Sequence, residues 1–373
     1  MKIAIVCYPT HGGSGVVASE LALGLAERGH EVHIVSYTTP FRLRTFSQNV
    51  FIHEVEVASY PLFKYPPYAL SLATALADIH EAYDLDLIHA HYAVPHATSA
   101  YLAKKISRSE KLKIITTLHG TDITLVGADK SFYRAIKFGI EESDGVTAVS
   151  NFLKRRTIEE FDIQRDIRVI FNFVDTRRSD ENAKGCARER YAPHGEKILM
   201  HASNFRPVKR VSDVVRIFDR VRKVVPSKLV LIGEGPERLF VQQLVKELRL
   251  NGDVFFLGQQ DYIEHLLSCA DLFILPTEQE SFGLAALEAH SCGVPVVGAA
   301  TGGLPEVVAD GETGFLLPVG EIARMAECAI RLLTDEKLMA TFRKNAKQRA
   351  AKCFDKNLIL PQYEAFYEEV ARR

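Results

Sequence analysis

The chain has almost no net charge, no paired cysteine motif and no long apolar run. Lysine and arginine total 46 against 47 aspartates and glutamates, a formal net charge of −1. That balance gives no reason to expect nucleic acid or an anionic membrane as a partner. The six cysteines (Cys7, Cys186, Cys269, Cys292, Cys328 and Cys353) are scattered and form no C-x-x-C pair. Such spacing argues against a zinc site or a disulfide framework and for thiols in a reducing compartment. No apolar stretch approaches the roughly 20 residues a bilayer-spanning helix needs. The N-terminus opens directly on a strand, Lys2-Ile-Ala-Ile-Val-Cys7, without the apolar core and cleavage site of a signal peptide. A cytoplasmic chain acting on small molecules is therefore expected. Homo-oligomerisation is left open.

What is present is a repeating alternation. With 373 residues, two domains are the natural prior. Short apolar runs at 2–7, 31–36, 86–90, 113–118, 145–149 and 167–170 read as strands, as do runs near 197–203, 228–232, 253–257, 271–275 and 294–298. Amphipathic stretches at 15–28, 68–83, 94–106, 210–224, 236–249 and 282–291 read as helices between them. Strand–helix alternation implies α/β domains with parallel sheets covered on both faces. The series runs twice, with a polar break at Asp175–Gly185. Two domains are expected, 1–173 and 174–355, with a last helix at about 356–371 that follows the second series and packs back on the first domain. In open α/β sheets ligands bind at the carboxyl ends of the strands. Two such domains would face each other across a cleft.

Residues capable of chemistry do follow the strands. After the first comes His11-Gly-Gly-Ser-Gly15, where glycines let backbone N–H groups approach an anion at a helix N-terminus. Gly13-x-Gly15-x-x-Ala18 also fits the dinucleotide fingerprint, but the second strand ends Ile34-Val-Ser-Tyr37 without the acidic residue that reading requires. A tight turn without a ligand is the plain alternative. His89 and His91 share one face of a strand, yet no acidic or cysteine ligand lies in the same loop, so no metal is expected. Tyr92 follows them as a ligand-contact candidate. The next strand ends in His119-Gly-Thr121-Asp122, suited to hydrogen bonding a polar substrate or, through Thr121 or Asp122, to capping a helix. Ser150-Asn151 reads as the cap of a helix starting at Phe152.

In the second half, Asn204-Phe-Arg206-Pro-Val-Lys209-Arg210 places three cations at a strand end, suited to phosphate. Gly233-Glu-Gly235, Gly258-Gln259 and Thr301-Gly-Gly303 are further strand-end turns. Glu280-Ser-Phe-Gly-Leu-Ala-Ala-Leu-Glu288 sets two carboxylates eight positions apart. Glu288 lies in an apolar stretch, where an ionised carboxylate is costly unless donors meet it. Free N–H groups at Phe282, Gly283 and Leu284 would hold a phosphate at the positive end of a helix dipole, with a carboxylate on either side for hydroxyl groups. A phosphate flanked by two polyols describes a nucleotide sugar.

Together these motifs resemble the retaining glycosyltransferases of family 4, along essentially the whole chain. The resemblance implies the GT-B architecture of two facing Rossmann-like domains, with acceptor binding in the first and donor binding in the second. It implies a UDP-sugar donor, no tightly bound cofactor and no evident divalent metal. By that carry-over Glu280 contacts sugar hydroxyls, Glu288 the ribose, and Lys209 the pyrophosphate, with His119 at the reacting sugar. Gly13, Gly15, Asn204, Gly233, Gln259, Phe282, Gly283 and Leu284 would line the donor. The family's usual Arg five residues before the Lys is Asn204 here, with Arg206 the nearest cationic substitute. Within the family, Cys7-Tyr-Pro-Thr-His-Gly-Gly-Ser-Gly-Val-Val-Ala-Ser-Glu20 is most similar to the branch that transfers N-acetylglucosamine from UDP-N-acetylglucosamine to L-malate in bacillithiol biosynthesis. Ser14, Tyr92, Thr121 and Asn151 are then acceptor contacts, and Lys64, Arg134 and Arg155 are further cations of the first half. Alternatives are a family-4 enzyme acting on inositol phosphate or a lipid-linked sugar, or a UDP-sugar epimerase. Phe41-Arg-Leu-Arg44 and Tyr60-Pro-Leu-Phe-Lys-Tyr65 are the only hints of a membrane-facing surface.

Overall fold

A computed structural model describes residues 1–10, 12–57, 64–125, 129–182 and 187–373. It resolves into two compact units, one of residues 1–171 with 357–373, the other of residues 172–356. Each is built on one all-parallel sheet.

The first sheet contains β1 (Lys2–Val6), β2 (Glu31–Ser36), β3 (Val50–Glu54), β4 (Leu87–His91), β5 (Lys113–Leu118), β6 (Gly145–Ala148) and β7 (Arg168–Val169). Their order across the sheet is β3-β2-β1-β4-β5-β6-β7. The second contains β8 (Lys197–Ala202), β9 (Ser227–Ile232), β10 (Val254–Gly258), β11 (Leu272–Leu275), β12 (Val296–Ala299) and β13 (Gly314–Leu317), in the order β10-β9-β8-β11-β12-β13. Both are doubly wound. The strand order reverses between β1 and β4 in one sheet and between β8 and β11 in the other, and ligands bind at such switch points.

The central strands are apolar and buried on both faces, as a covered parallel sheet requires. In the second unit Leu199, Leu229, Leu231, Leu272, Ile274 and Val297 join Val214, Val215, Phe218, Met325 and Leu332 of the flanking helices in one core. Two strands lie outside the runs read from the sequence. β3 is an edge strand with residues exposed along its length, and β13 is a four-residue edge strand. Each has a run of three apolar residues, Val50–Ile52 and Phe315–Leu317, and is only partly buried.

The polar break also takes a form the composition does not suggest. Thr176–Asn182 is a helix, and the Asp175 carboxylate accepts from the N–H groups of Arg177 at 3.1 Å and Arg178 at 3.3 Å. That is N-capping, which offsets the poor apolar content of the segment. The last helix, Lys356–Ala371, has its residues from Asn357 onward in the first unit. Tyr367 reaches the sheet there, its hydroxyl 2.7 Å from Nδ1 of His89.

The expectation of thiols throughout is corrected at one position. Cys269 is disulfide-bonded, while Cys7, Cys292, Cys328 and Cys353 are free; Cys186 lies outside the described residues. The surface reading of Phe41–Arg44 is also corrected. Phe41, Arg42 and Leu43 are buried, with Arg42 donating to Glu20 at 2.5 Å. Residues 60–63 of the second hint lie outside the described residues. No helix of the described residues is long and apolar enough to cross a membrane.

Candidate active site

At the switch point of the first unit, the loop after β1 turns directly into the helix Gly13–Glu27. Gly15 has a packing reason. A Cβ there would sit 2.3 Å from the Thr10 carbonyl oxygen and 2.8 Å from that of Tyr8, so only glycine lets the turn close. Gly13 is exposed and Ser14 buried; His11 lies outside the described residues.

The loop after β4 meets this turn. Tyr92, at φ 98°, donates its hydroxyl to Ser14 Oγ at 2.7 Å, and the same hydroxyl meets the Thr121 side chain. Burial pushes the phenol up to about 12, so it remains a donor. Three of the sequence's acceptor candidates thus form one contact group. Asn151 stands apart, exposed in the first turn of the helix that follows β6, two strands from β4. Ser150 is the cap, its Oγ accepting from Leu153 N at 3.1 Å. Lys64, Arg134 and Arg155 are exposed.

Asp122 has a structural role that its sequence position left open. It is buried and accepts from Ala93 N at 3.1 Å and Gly120 N at 3.0 Å, tying the loops after β4 and β5 together. Burial raises its carboxyl to about 6 against the pull of these N–H groups. Beside it lies a group of buried imidazoles. His89 bonds Thr117 Oγ1 at 2.6 Å, His91 bonds His119 at 2.8 Å, and His96 Nδ1 faces the His91 carbonyl oxygen. Burial lowers His89 to about 3 and His96 to about 4, so both are neutral.

In the second unit, loops from four strand ends join into one scaffold. Thr277 Oγ1 and Glu278 N donate to the Val208 carbonyl at 3.0 and 2.7 Å, linking the loops after β11 and β8 across the switch point. Thr301 Oγ1 donates to Glu278 O and Gly303 N to Glu280 O. Glu237 N donates to Phe205 O at 2.9 Å. Gly233, at φ 118°, would place a Cβ 1.8 Å from the Ser203 carbonyl oxygen, so any side chain would part these two loops.

On this scaffold Lys209 Nζ lies 2.7 Å from Glu280 Oε2. The motif's cation and its first carboxylate are therefore neighbours although 71 positions apart. Arg206 is half-buried and makes no ion pair among the described residues. Arg210 is committed elsewhere, paired with Asp213 at 2.6 Å. Asn204 and Gln259 are exposed.

The helix after β11 begins at Leu284, not Phe282, because Gly283 at φ 104° is its left-handed N-cap. The first N–H groups of that helix, from Leu284 onward, lack intrahelical partners by construction. Glu288 is 9% exposed, in keeping with its apolar neighbours. Among the described residues, no group of three or more His, Cys, Asp or Glu side chains is arranged to hold a metal ion.

Comparison with known proteins decides the family. Residues 11–178 match the model of Glycosyltransferase Family 4, and residues 187–349 that of Glycosyl transferases group 1. The chain is 47% identical over 373 residues to the N-acetyl-alpha-D-glucosaminyl L-malate synthase of Bacillus anthracis, covering 100% of this chain and 98% of that one. The chain belongs to the family-4 glycosyltransferases. It is thus a glycosyltransferase enzyme, and its two parallel α/β sheets are those of the GT-B fold. Two solved structures share that fold. A glycosyltransferase from Rickettsia africae ESF-5 superposes with a TM-score of 0.81 at 23% identity, over 99% of this chain and 98% of that one. Anabaena Alr3699/HepE in complex with UDP and glucose superposes with a TM-score of 0.82 at 22% identity, over 99% of each.

Proposed function

We propose that this glycosyltransferase moves N-acetylglucosamine from UDP-N-acetylglucosamine to the hydroxyl of L-malate with retention at the anomeric carbon, opening bacillithiol biosynthesis. The observation that carries this reading is the 47% identity, along the full length of both chains, to a protein named for that product. The donor half is supported by the second unit's switch point, where Lys209 meets Glu280 in the loop that leads into the helix starting at Leu284. In this reading Glu288 accepts from the ribose hydroxyls and Glu280 from the sugar. The diphosphate competes with Glu280 for Lys209. The acceptor half is supported by the Ser14–Tyr92–Thr121 group.

The chemistry asked of the protein is mostly positioning and charge stabilisation. The bond from the anomeric carbon to the diphosphate breaks, and a bond to the malate hydroxyl oxygen forms on the same face. The hydroxyl proton passes to the departing β-phosphate, and UDP leaves. Lys209 and Arg206 stabilise the charge that gathers on it. The test is incubation with UDP-N-acetylglucosamine and a panel of small hydroxy acids, following UDP release. Release that depends on L-malate is expected. Equal release with every acid, or with none, overturns the acceptor assignment.

A further inference from the structure

His91 ends β4 and is wholly buried. His119 follows the neighbouring strand β5 and keeps part of its surface exposed. Nδ1 of His91 lies 2.8 Å from Nε2 of His119. The ring planes are 18° apart and the centroids 5.0 Å apart. That separation equals two ring radii plus a hydrogen bond, so the rings meet edge to edge. One of the two facing nitrogens carries a proton, and the remaining nitrogens decide which.

Nε2 of His91 is buried without a partner. A proton there would make it an orphan buried N–H, a state native proteins avoid more strictly than an unfilled acceptor. The proton of His91 therefore belongs on Nδ1, donating to His119. His96 repeats the pattern next door. Its Nδ1 faces a carbonyl oxygen and must donate, and its Nε2 is the buried, unpartnered atom. With Nε2 of His119 accepting, the proton of His119 sits on Nδ1. That atom has no hydrogen-bond partner among the described residues. Burial lowers both imidazoles well below the usual histidine range, so neither ring is doubly protonated near neutrality and the tautomers stay distinct.

We propose that His91 is a positioning residue that donates from Nδ1 to Nε2 of His119 and so fixes His119 as a neutral Nδ1–H donor to a substrate oxygen. The substrate role rests on the reading of His119 as the group at the reacting sugar. The tautomer itself does not, and the two are measured separately.

The full chain is labelled with 15N-histidine, and long-range 1H–15N correlation spectra are recorded without substrate. The His119 signals are assigned by their loss in His119→Gln. A protonated Nδ1 and a bare Nε2 at His119 are expected. A protonated Nε2 in the wild-type chain overturns the proposal without need of any variant. His91→Asn keeps a donor where Nδ1 stood and should keep the tautomer. His91→Asp offers only acceptors and should reverse it. In turnover, kcat should fall about 10–100-fold in His91→Asp and recover to within a few-fold in His91→Asn, the scale on which an orienting partner acts. A reversed tautomer with unchanged kcat overturns the positioning role and removes His119 from the reaction, while L-malate-dependent turnover would still stand.

Discussion

The two units share one topology and use their switch points in opposite electrostatic styles. Where the strand order reverses in the first, most polar groups are neutral, a buried phenol, a serine and histidines deprotonated by burial, alongside the buried carboxyl of Asp122. At the same place in the second, the groups are ionic, with Lys209 against Glu280. Neutral donors discriminate by geometry, because each must find a partner within hydrogen-bond reach. Paired charges discriminate by what can displace the partner. The fold thus supplies position in both cases, and a few side chains after the strands set the chemistry.

The comparison is broken most directly by removing the ionic member. Lys209→Ala should lower kcat about 100- to 1000-fold, the range seen when one electrostatic stabiliser is lost. Near-normal turnover in a UDP-release assay would sink the donor-site assignment.

Acid should separate the units next. His89 and His96 have folded pKa values of about 3 and 4, below the unfolded value near 6.5. The unfolded chain therefore binds more protons between pH 6.5 and 3, and stability is lost as pH falls through that window. Asp122, raised to about 6, acts in the opposite sense between its unfolded value and pH 6 and offsets part of the loss. The second unit has two buried histidines of this kind, His201 at about 4 and His290 at about 3. With His89, His91, His96 and His119 all lowered, the first unit should lose hydrogen-exchange protection at a higher pH than the second. Simultaneous loss would contradict the contrast.

Glu288→Ala should act on binding more than on chemistry. One hydroxyl bond to a carboxylate, at about 1.5–3 kcal/mol for a charged hydrogen bond, predicts a rise in the donor Kd of roughly tenfold or more with kcat less affected. Calorimetric titration with UDP-N-acetylglucosamine reads this, and an unchanged Kd would count against the ribose role. The smallest expected effect is Tyr92→Phe, which removes one neutral hydrogen bond at about 0.5–1.5 kcal/mol. The KM for L-malate should rise about two- to tenfold, and no change would take Tyr92 out of the acceptor group.

The sequence alone determined the α/β class, the two-fold repetition of the strand–helix series and the strand ends that carry chemistry. These follow from local pattern: buried parallel strands must be apolar runs, and ligand loops must follow them. It also determined that Glu288 is buried, since Leu284-Ala-Ala-Leu287 and Ala289 leave it no solvated face. Edge strands β3 and β13 escaped that logic because each offers a run of only three apolar residues and, with one side unpaired, is only partly buried. The helix at Thr176–Asn182 escaped it because its anchors are polar, the Asp175 cap and the buried Ser179 hydroxyl bonded to Ser291.

Only the tertiary structure decided the pairings. Lys209 meets Glu280, Tyr92 meets Ser14, and His91 meets His119 across separations of 71, 78 and 28 positions. The glycine of the 233 turn is explained by a carbonyl thirty residues upstream that no local pattern names. Hydrogen bonds act over about 3 Å, and which distant residues come that close is set by strand order and register, not by spacing along the chain.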